Sequence, residues 1–169
     1  MSLSTKLLDA LSPKNRIFVA FSGGLDSTAL LFLCNKALKQ KKIRNLKAIH
    51  INHNLSKNGD NWQQHCESFC RSNNIKFESF IVEVSKNRSS IESQARQARY
   101  KIFESLLDEN DQILLAHHRD DVFETILLRL FRGTGVDGLS GLNEKRSLGK
   151  GEIIRPVSYT HLTLPTKRI

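Results

Sequence analysis

No run of about 18 consecutive apolar residues occurs in this chain, so an ordinary membrane-spanning helix is not expected. The opening stretch Met1 to Leu11 carries an early acidic residue, Asp9, and no apolar signal core, so no secretion signal is expected. Cysteine is scarce. The three residues Cys34, Cys66 and Cys70 are odd in number and lack framework spacing, which argues against a disulfide scaffold and for reduced thiols in the cytoplasm. Internal repeats and low-complexity segments are missing too, which excludes solenoid and linker architectures. What remains is a chain of 169 residues, long enough for one domain with a real core. Its formal charge of +9 favours a polyanionic partner such as nucleic acid, although many soluble proteins are equally basic.

The C-terminal string Ser158 to Thr166 breaks from everything before it and resembles a translated sequencing adapter. The expected organisation is one catalytic domain over 1–157, incomplete at its C-terminal end, followed by a non-native tail over 158–169. Without Lys167 and Arg168 the formal charge falls from +9 to +7, so the basic character survives.

The chain is organised around Phe21-Ser22-Gly23-Gly24-Leu25-Asp26-Ser27. Arg16 to Ala20 precedes it as a short, β-branched apolar run that reads as a buried parallel strand. Thr28 to Cys34 and the basic stretch to Lys42 read as a helix. Two glycines permit positive φ and close approach of an anion. The first helix amides point outward with the positive end of the dipole behind them. Ser22 and Ser27 add hydroxyl donors, and together these make a phosphate or pyrophosphate cradle. The loop has neither GxxxxGK[ST] nor GxGxxG, so the mononucleotide P-loop and the dinucleotide fingerprint both fail. An Asp in such a loop would repel phosphate unless Asp26 holds Mg2+ that bridges to it. An ordinary strand–turn–helix corner with Ser and Asp as caps is the competing explanation.

The remaining pattern alternates strand and helix. Strands are expected at 46–51, 76–84 and 112–116, with a short fifth at 153–154; helices are expected at 3–11, 62–72, to about 107, and at 120–131. Asp60 reads as the cap of the helix whose apolar face is Trp62, Cys66, Phe69 and Cys70. The fold class is α/β: a parallel sheet of about five strands with helices on both faces, Rossmann-like in outline. Ligands in such sheets sit beyond the carboxyl ends of the strands. The polar clusters fall there: the loop after strand one, His50 to Asn54, and His117 to Glu124.

The run Ala116-His117-His118-Arg119-Asp120-Asp121-Val122-Phe123-Glu124-Thr125 packs two His, two Asp and a Glu into eight positions. Carboxylates at a helix start also serve as caps, and a transition-metal site could use the same donors. From Ala116 to Leu142 the chain is similar to the AHHxDDxxET…LLRLxRGxGxxGLxG signature of the tRNA(Ile)-lysidine synthetases. The loop at 22–27 resembles the pyrophosphate loop of the wider PP-loop ATP-pyrophosphatases (adenine nucleotide alpha hydrolase-like), and His50 to Leu55 resembles the family's second motif. Glu92, Ala95, Arg96, Arg99 and Tyr100 resemble its ExxARxxRY helix, and Arg155-Pro156 its RP motif.

The resemblance implies ligation of free L-lysine to C2 of the wobble cytidine in the CAU-anticodon isoleucine tRNA. The tRNA is first adenylated by ATP, releasing pyrophosphate, and lysine then displaces AMP. Ser22, Gly23, Gly24, Leu25, Asp26 and Ser27 would bind ATP, with Asp26 on Mg2+, and His50, Asn52 and His53 would line the adenosine. Arg96 and His117 would act with Asp26 at the reacting cytidine, Asp121 and Glu124 would hold the lysine ammonium, and Arg96, Arg99 and Arg132 would contact tRNA. No membrane partner is implied, and a homodimer is left open. Val122-Phe123 and Ser56 depart from the family pattern. The rivals are a tRNA thiolase, an ammonia-dependent synthetase and an ATP-binding fragment without activity. A thiolase should carry CxxC pairs, and this chain has only CxxxC.

Overall fold

The computed structural model describes residues 3–54, 58–82, 91–116 and 145–156. In chain order the elements are α1 (Leu3–Ala10), β1 (Arg16–Ala20), α2 (Leu25–Lys39), β2 (Asn45–Asn52), α3 (Gly59–Ser72), β3 (Lys76–Ile81), α4 (Ile91–Leu106), β4 (Gln112–Leu115), β5 (Lys145–Leu148) and β6 (Gly151–Ile154). The strands form one sheet in the order β3-β2-β1-β4-β6-β5. Every pairing is parallel except β5 with β6.

Side-chain alternation along β1 explains the two-sided core. Ile17, Val19 and Phe21 point to one face, where Leu7, Leu31, Cys34, Cys66 and Cys70 of α1, α2 and α3 pack. Phe18 points to the other, joined by Ile49, Ile113 and Ile153 against Phe103 of α4 and the adjoining Leu107. A strand covered on both faces must be apolar throughout, which is why Arg16–Ala20 and Gln112–Leu115 read as runs rather than as alternation. Arg16 ties the start of β1 to the turn before β4, with salt bridges to Asp108 at 2.5 Å and to the buried Asp111. Chain order reverses across β1, which has β2 on one side and β4 on the other, so a crevice opens between the carboxyl ends of β1 and β4.

The fold differs from the expected one at the edges. The described sheet has six strands rather than about five, because Lys145–Leu148 turns back on β6 through a hairpin with Gly149 at φ +55°. That strand is mostly exposed and held by backbone pairing and a Lys145–Glu152 ion pair at 2.8 Å, so it leaves no apolar pattern. β3 spans Lys76–Ile81 where 76–84 is expected, residues 83–84 lying outside the described ones, and α3 begins at Gly59 rather than Trp62. Asn58, not Asp60, precedes α3, and no side chain caps it. The expected helix over 120–131 lies outside the described residues, as does the tail from Val157.

Ile113 is fully buried at the centre of the sheet, so Ile113→Ala should cost about 3–4 kcal/mol. Arg71→Ala breaks only an exposed i,i+4 pair with Glu67 and should cost about 0.5 kcal/mol or less. Urea unfolding of the two variants checks the contrast.

Candidate active site

Beyond the ends of β1, β2 and β4 lies a cavity of about 630 Å3. Its wall is built by the turn into α2, the end of β2, the first turn of α3 and one face of α4. The turn is the tightest part. Gly23 has φ +79°, the left-handed region that L side chains rarely adopt. A Cβ there would also lie 2.7 Å from Cys66 Sγ and 3.1 Å from Trp62 Nε1. Gly24 has φ −73°, so only one of the two glycines needs positive φ; the second would meet nothing closer than Ser22 Oγ at 3.4 Å. Gly24 is the N-cap of α2, and no side chain caps the helix. The helix N-terminus is therefore open toward the cavity, as an anion site requires. Ser22 Oγ lies 3.1 Å from Ser27 Oγ, the Ser27 and Thr28 hydroxyls donate to the Gly24 carbonyl at 3.0 and 2.9 Å, and the Gly24 amide donates to Ser22 Oγ at 3.3 Å.

Asp26 is the sole carboxylate among the described lining residues. Among the described residues no group of three or more His, Cys, Asp or Glu could hold a metal by itself. A lone carboxylate beside a phosphate cradle fits Mg2+, which is usually held by one or two carboxylates and the substrate's own phosphates.

The end of β2 supplies two histidines with different settings. His50 is buried, and its Nδ1 lies 2.8 Å from the Phe21 carbonyl. A carbonyl only accepts, so Nδ1 carries the proton in this contact. His53 Nε2 lies 3.5 Å from Arg99 Nη2, and the arginine can only donate. Burial, then the charges of Arg99 and His50, push the His53 imidazole below its ordinary value. His53 is therefore neutral with its proton on Nδ1, a buried atom with no protein partner among the described residues. Asn52 is turned inward. Its amide donates to Asp60 Oδ1 at 3.4 Å and Gln63 Oε1 at 3.3 Å, and its oxygen accepts from the Asn54 amide at 3.0 Å, which fastens the end of β2 to α3.

The opposite wall is cationic. Arg96 and Arg99 of α4 line the cavity with Tyr100. Arg96 and Arg146 stand over the Tyr100 ring at 5.4 and 5.1 Å, and buried Arg155 donates to its hydroxyl at 3.0 Å. Desolvation, the largest single influence, raises the phenol. The Arg155 hydrogen bond and the charges of Arg155, Arg96 and Arg146 outweigh it, and the net shift is downward.

Residues 2–163 match the PP-loop domain family. The chain belongs to the PP-loop domain family. Among curated proteins it is 45% identical over 154 residues to the tRNA(Ile)-lysidine synthase of Legionella pneumophila strain Lens, covering 91% of this chain and 35% of that protein. The enzymes of the same name from Pseudomonas syringae and Coxiella burnetii are 44% and 42% identical, covering 92% and 90% of this chain and 35% and 34% of theirs. The chain thus spans about a third of the length of these relatives. Among solved structures it is similar to the U34-tRNA thiolase NcsA from Methanococcus maripaludis with its [4Fe-4S] cluster. The TM-score is 0.66 at 22% identity, covering 91% of this chain and 56% of that one, a likeness of fold.

Of the residues singled out from the sequence, Ser22, Gly24, Leu25, Asp26, Ser27, His50, Asn52, His53, Arg96 and Arg99 all line this one PP-loop cavity. Gly23 backs the loop against α3 instead. His117, Asp121, Glu124 and Arg132 lie outside the described residues. Trp62 departs from its expected core position. It is 50% exposed, lines the cavity, and its indole donates to the Ser22 carbonyl at 2.5 Å. Only Cys66 and Cys70 of the proposed face are buried, and burial pushes those thiols up to about 11 and about 12. Trp62, Tyr100, Arg146 and Arg155 are the site residues that sequence reasoning left without a role. The isolated tryptophan one helical turn from Cys66 was the available signal for the first.

Gly23→Ala should destabilise the chain by about 1–3 kcal/mol through strain and overlap, whereas Gly24→Ala should cost under about 1 kcal/mol. Thermal melts of the two variants test this. An unfolded histidine titrates near 6.5 and folded His53 lower, so the unfolded state binds more protons between the two values. Stability should fall as pH drops below 6.5, and His53→Gln should remove that share of the loss. Urea melts at about pH 7.5 and about pH 5.5 measure it.

Proposed function

We propose that this PP-loop chain carries the nucleotide-activating centre of a tRNA(Ile)-lysidine synthetase. The reaction joins free L-lysine to C2 of the wobble cytidine in the CAU-anticodon isoleucine tRNA and releases AMP and pyrophosphate. The observation that carries the reading is the meeting, in one cavity, of an open helix N-terminus with a glycine turn, the Asp26 carboxylate and two arginines. Relatives carrying that enzyme name, at 41–45% identity, supply the substrate class.

In this reading the loop from Ser22 to Ser27 receives the β- and γ-phosphates of ATP. Mg2+, when bound, neutralises phosphate charge and draws electrons from the phosphorus under attack. Asp26 would hold that ion. His50 and His53 at the end of β2 line the adenosine, and the His53 Nδ1 proton offers it a donor. Arg96, steadied over the Tyr100 ring, faces the negative charge that develops as the cytidine O2 attacks. His117 belongs to the same step. Asp121 and Glu124 hold the lysine ammonium, which must lose a proton from a group of ordinary pKa about 10.4 before its nitrogen attacks and AMP leaves. Arg99 and Arg132 contact the tRNA backbone, and the wobble base, already single-stranded, is extruded at low cost. The protein works in the cytoplasm; no described helix is long and apolar enough to cross a membrane.

The thiolase alternative is disfavoured by the cysteines. All three are buried, with Cys34 and Cys70 raised to about 12, which suits core packing rather than sulfur transfer.

Incubated with Mg2+, ATP, L-lysine and unmodified isoleucine tRNA, the chain extended to the length of its relatives should release pyrophosphate and form lysidine in equal amounts. Asp26→Asn should lower both at least about a hundredfold without moving the thermal midpoint. Pyrophosphate release indifferent to tRNA would refute the substrate assignment.

A further inference from the structure

We infer that Trp62 is a positioning residue for the phosphate-binding loop: its indole N–H fixes the orientation of the Ser22–Gly23 peptide at the base of the turn that receives pyrophosphate. The inference rests on the nucleotide reading of the cavity and adds a residue that reading does not use. Trp62 sits in the first turn of α3, half exposed at the cavity rim, yet its one polar atom is committed to a backbone carbonyl 40 residues away. The same ring edge lies against Gly23, where a Cβ would come within 3.1 Å of Nε1 and 3.2 Å of Cε2.

The peptide joining Ser22 to Gly23 is planar and trans, so its C=O and N–H point in opposite directions. Fixing the carbonyl on the indole aims the Gly23 amide the other way. A flipped peptide would turn the carbonyl oxygen, with its partial negative charge, to where the amide now points. Glycine at 23 makes such a flip sterically cheap, since it tolerates both signs of φ. Sterics therefore do not choose the orientation, and the hydrogen bond from Trp62 does. The Ser22 hydroxyl accepts from the Gly24 amide and the Ser27 hydroxyl donates to the Gly24 carbonyl, which fixes the next two peptides, so the indole completes the set. Preorganising donors before the anion arrives removes the reorganisation cost from binding.

Trp62 is the only tryptophan, so replacing tryptophan throughout the chain alters this site alone. Growth of an auxotroph on benzothienylalanine keeps the bicyclic shape and exchanges the N–H for sulfur, while 4-fluorotryptophan keeps the N–H. Titration with Mg2+–pyrophosphate should show about threefold to tenfold weaker binding for the benzothienyl protein, the range of one net hydrogen bond. The fluoro protein should match the natural one, and adenosine should bind all three alike. Trp62→Phe should reproduce the selective loss. Equal pyrophosphate affinity in the natural and benzothienyl proteins would overturn the inference and leave the site reading standing. So would equal weakening of adenosine and pyrophosphate, which would mark the indole as general packing. Failure of the natural protein to bind pyrophosphate would overturn the site reading and the inference with it.

Discussion

Everything at the site depends on how closely the Ser22–Gly24 backbone approaches α3. Cys66 Sγ occupies the space where a side chain at 23 would begin, and the Trp62 indole closes the gap beside it. That contact needs a glycine, a small buried thiol one turn along α3, and a strand that ends just before it. Phe21, the residue after that strand, lies inside the core, where it packs against Phe69 with ring centroids 5.5 Å apart. The loop is thus held from below by the apolar core and from the side by α3, while its helix end stays open.

The sheet gives the loop its surroundings. Because β1 is central and chain order reverses across it, the ends of β2 and β4 open around the turn. The two faces then divide the labour. α2 and α3 cover one face and bring the anion loop and its support; α4 covers the other and brings Arg96, Arg99 and Tyr100. Negative substrate groups therefore meet a helix N-terminus on one wall and guanidinium groups on the other, with Asp26 the one acid among the described lining residues. The overall charge of +9 acts in the same sense at longer range.

Much of this was legible in the sequence because β1, its turn and α2 are contiguous. A buried strand shows as an apolar run, and a turn that needs positive φ shows as glycine. The histidines at the end of β2 and the arginines of α4 were legible through motif order. Three features were not. Trp62 shares a helical face with Cys66 and Cys70, and periodicity reports a shared face without saying where the neighbouring strand stops. β5 has no apolar pattern because its register comes from a hairpin and an ion pair. The burial of Arg155 follows from a hydrogen bond to Tyr100 across 55 residues of chain, which no local pattern encodes.

The central claim is that the turn into α2 receives the phosphates of a nucleotide. Its most direct test is the amide spectrum of the chain titrated with Mg2+–pyrophosphate. The account predicts that the largest shifts fall on the amides of Gly23 to Ser27 and on the Trp62 indole, with β3 and α1 unmoved. Shifts concentrated instead around the second hollow, where Leu7 and Lys36 lie between α1 and α2, or no saturable shift at all, would contradict it.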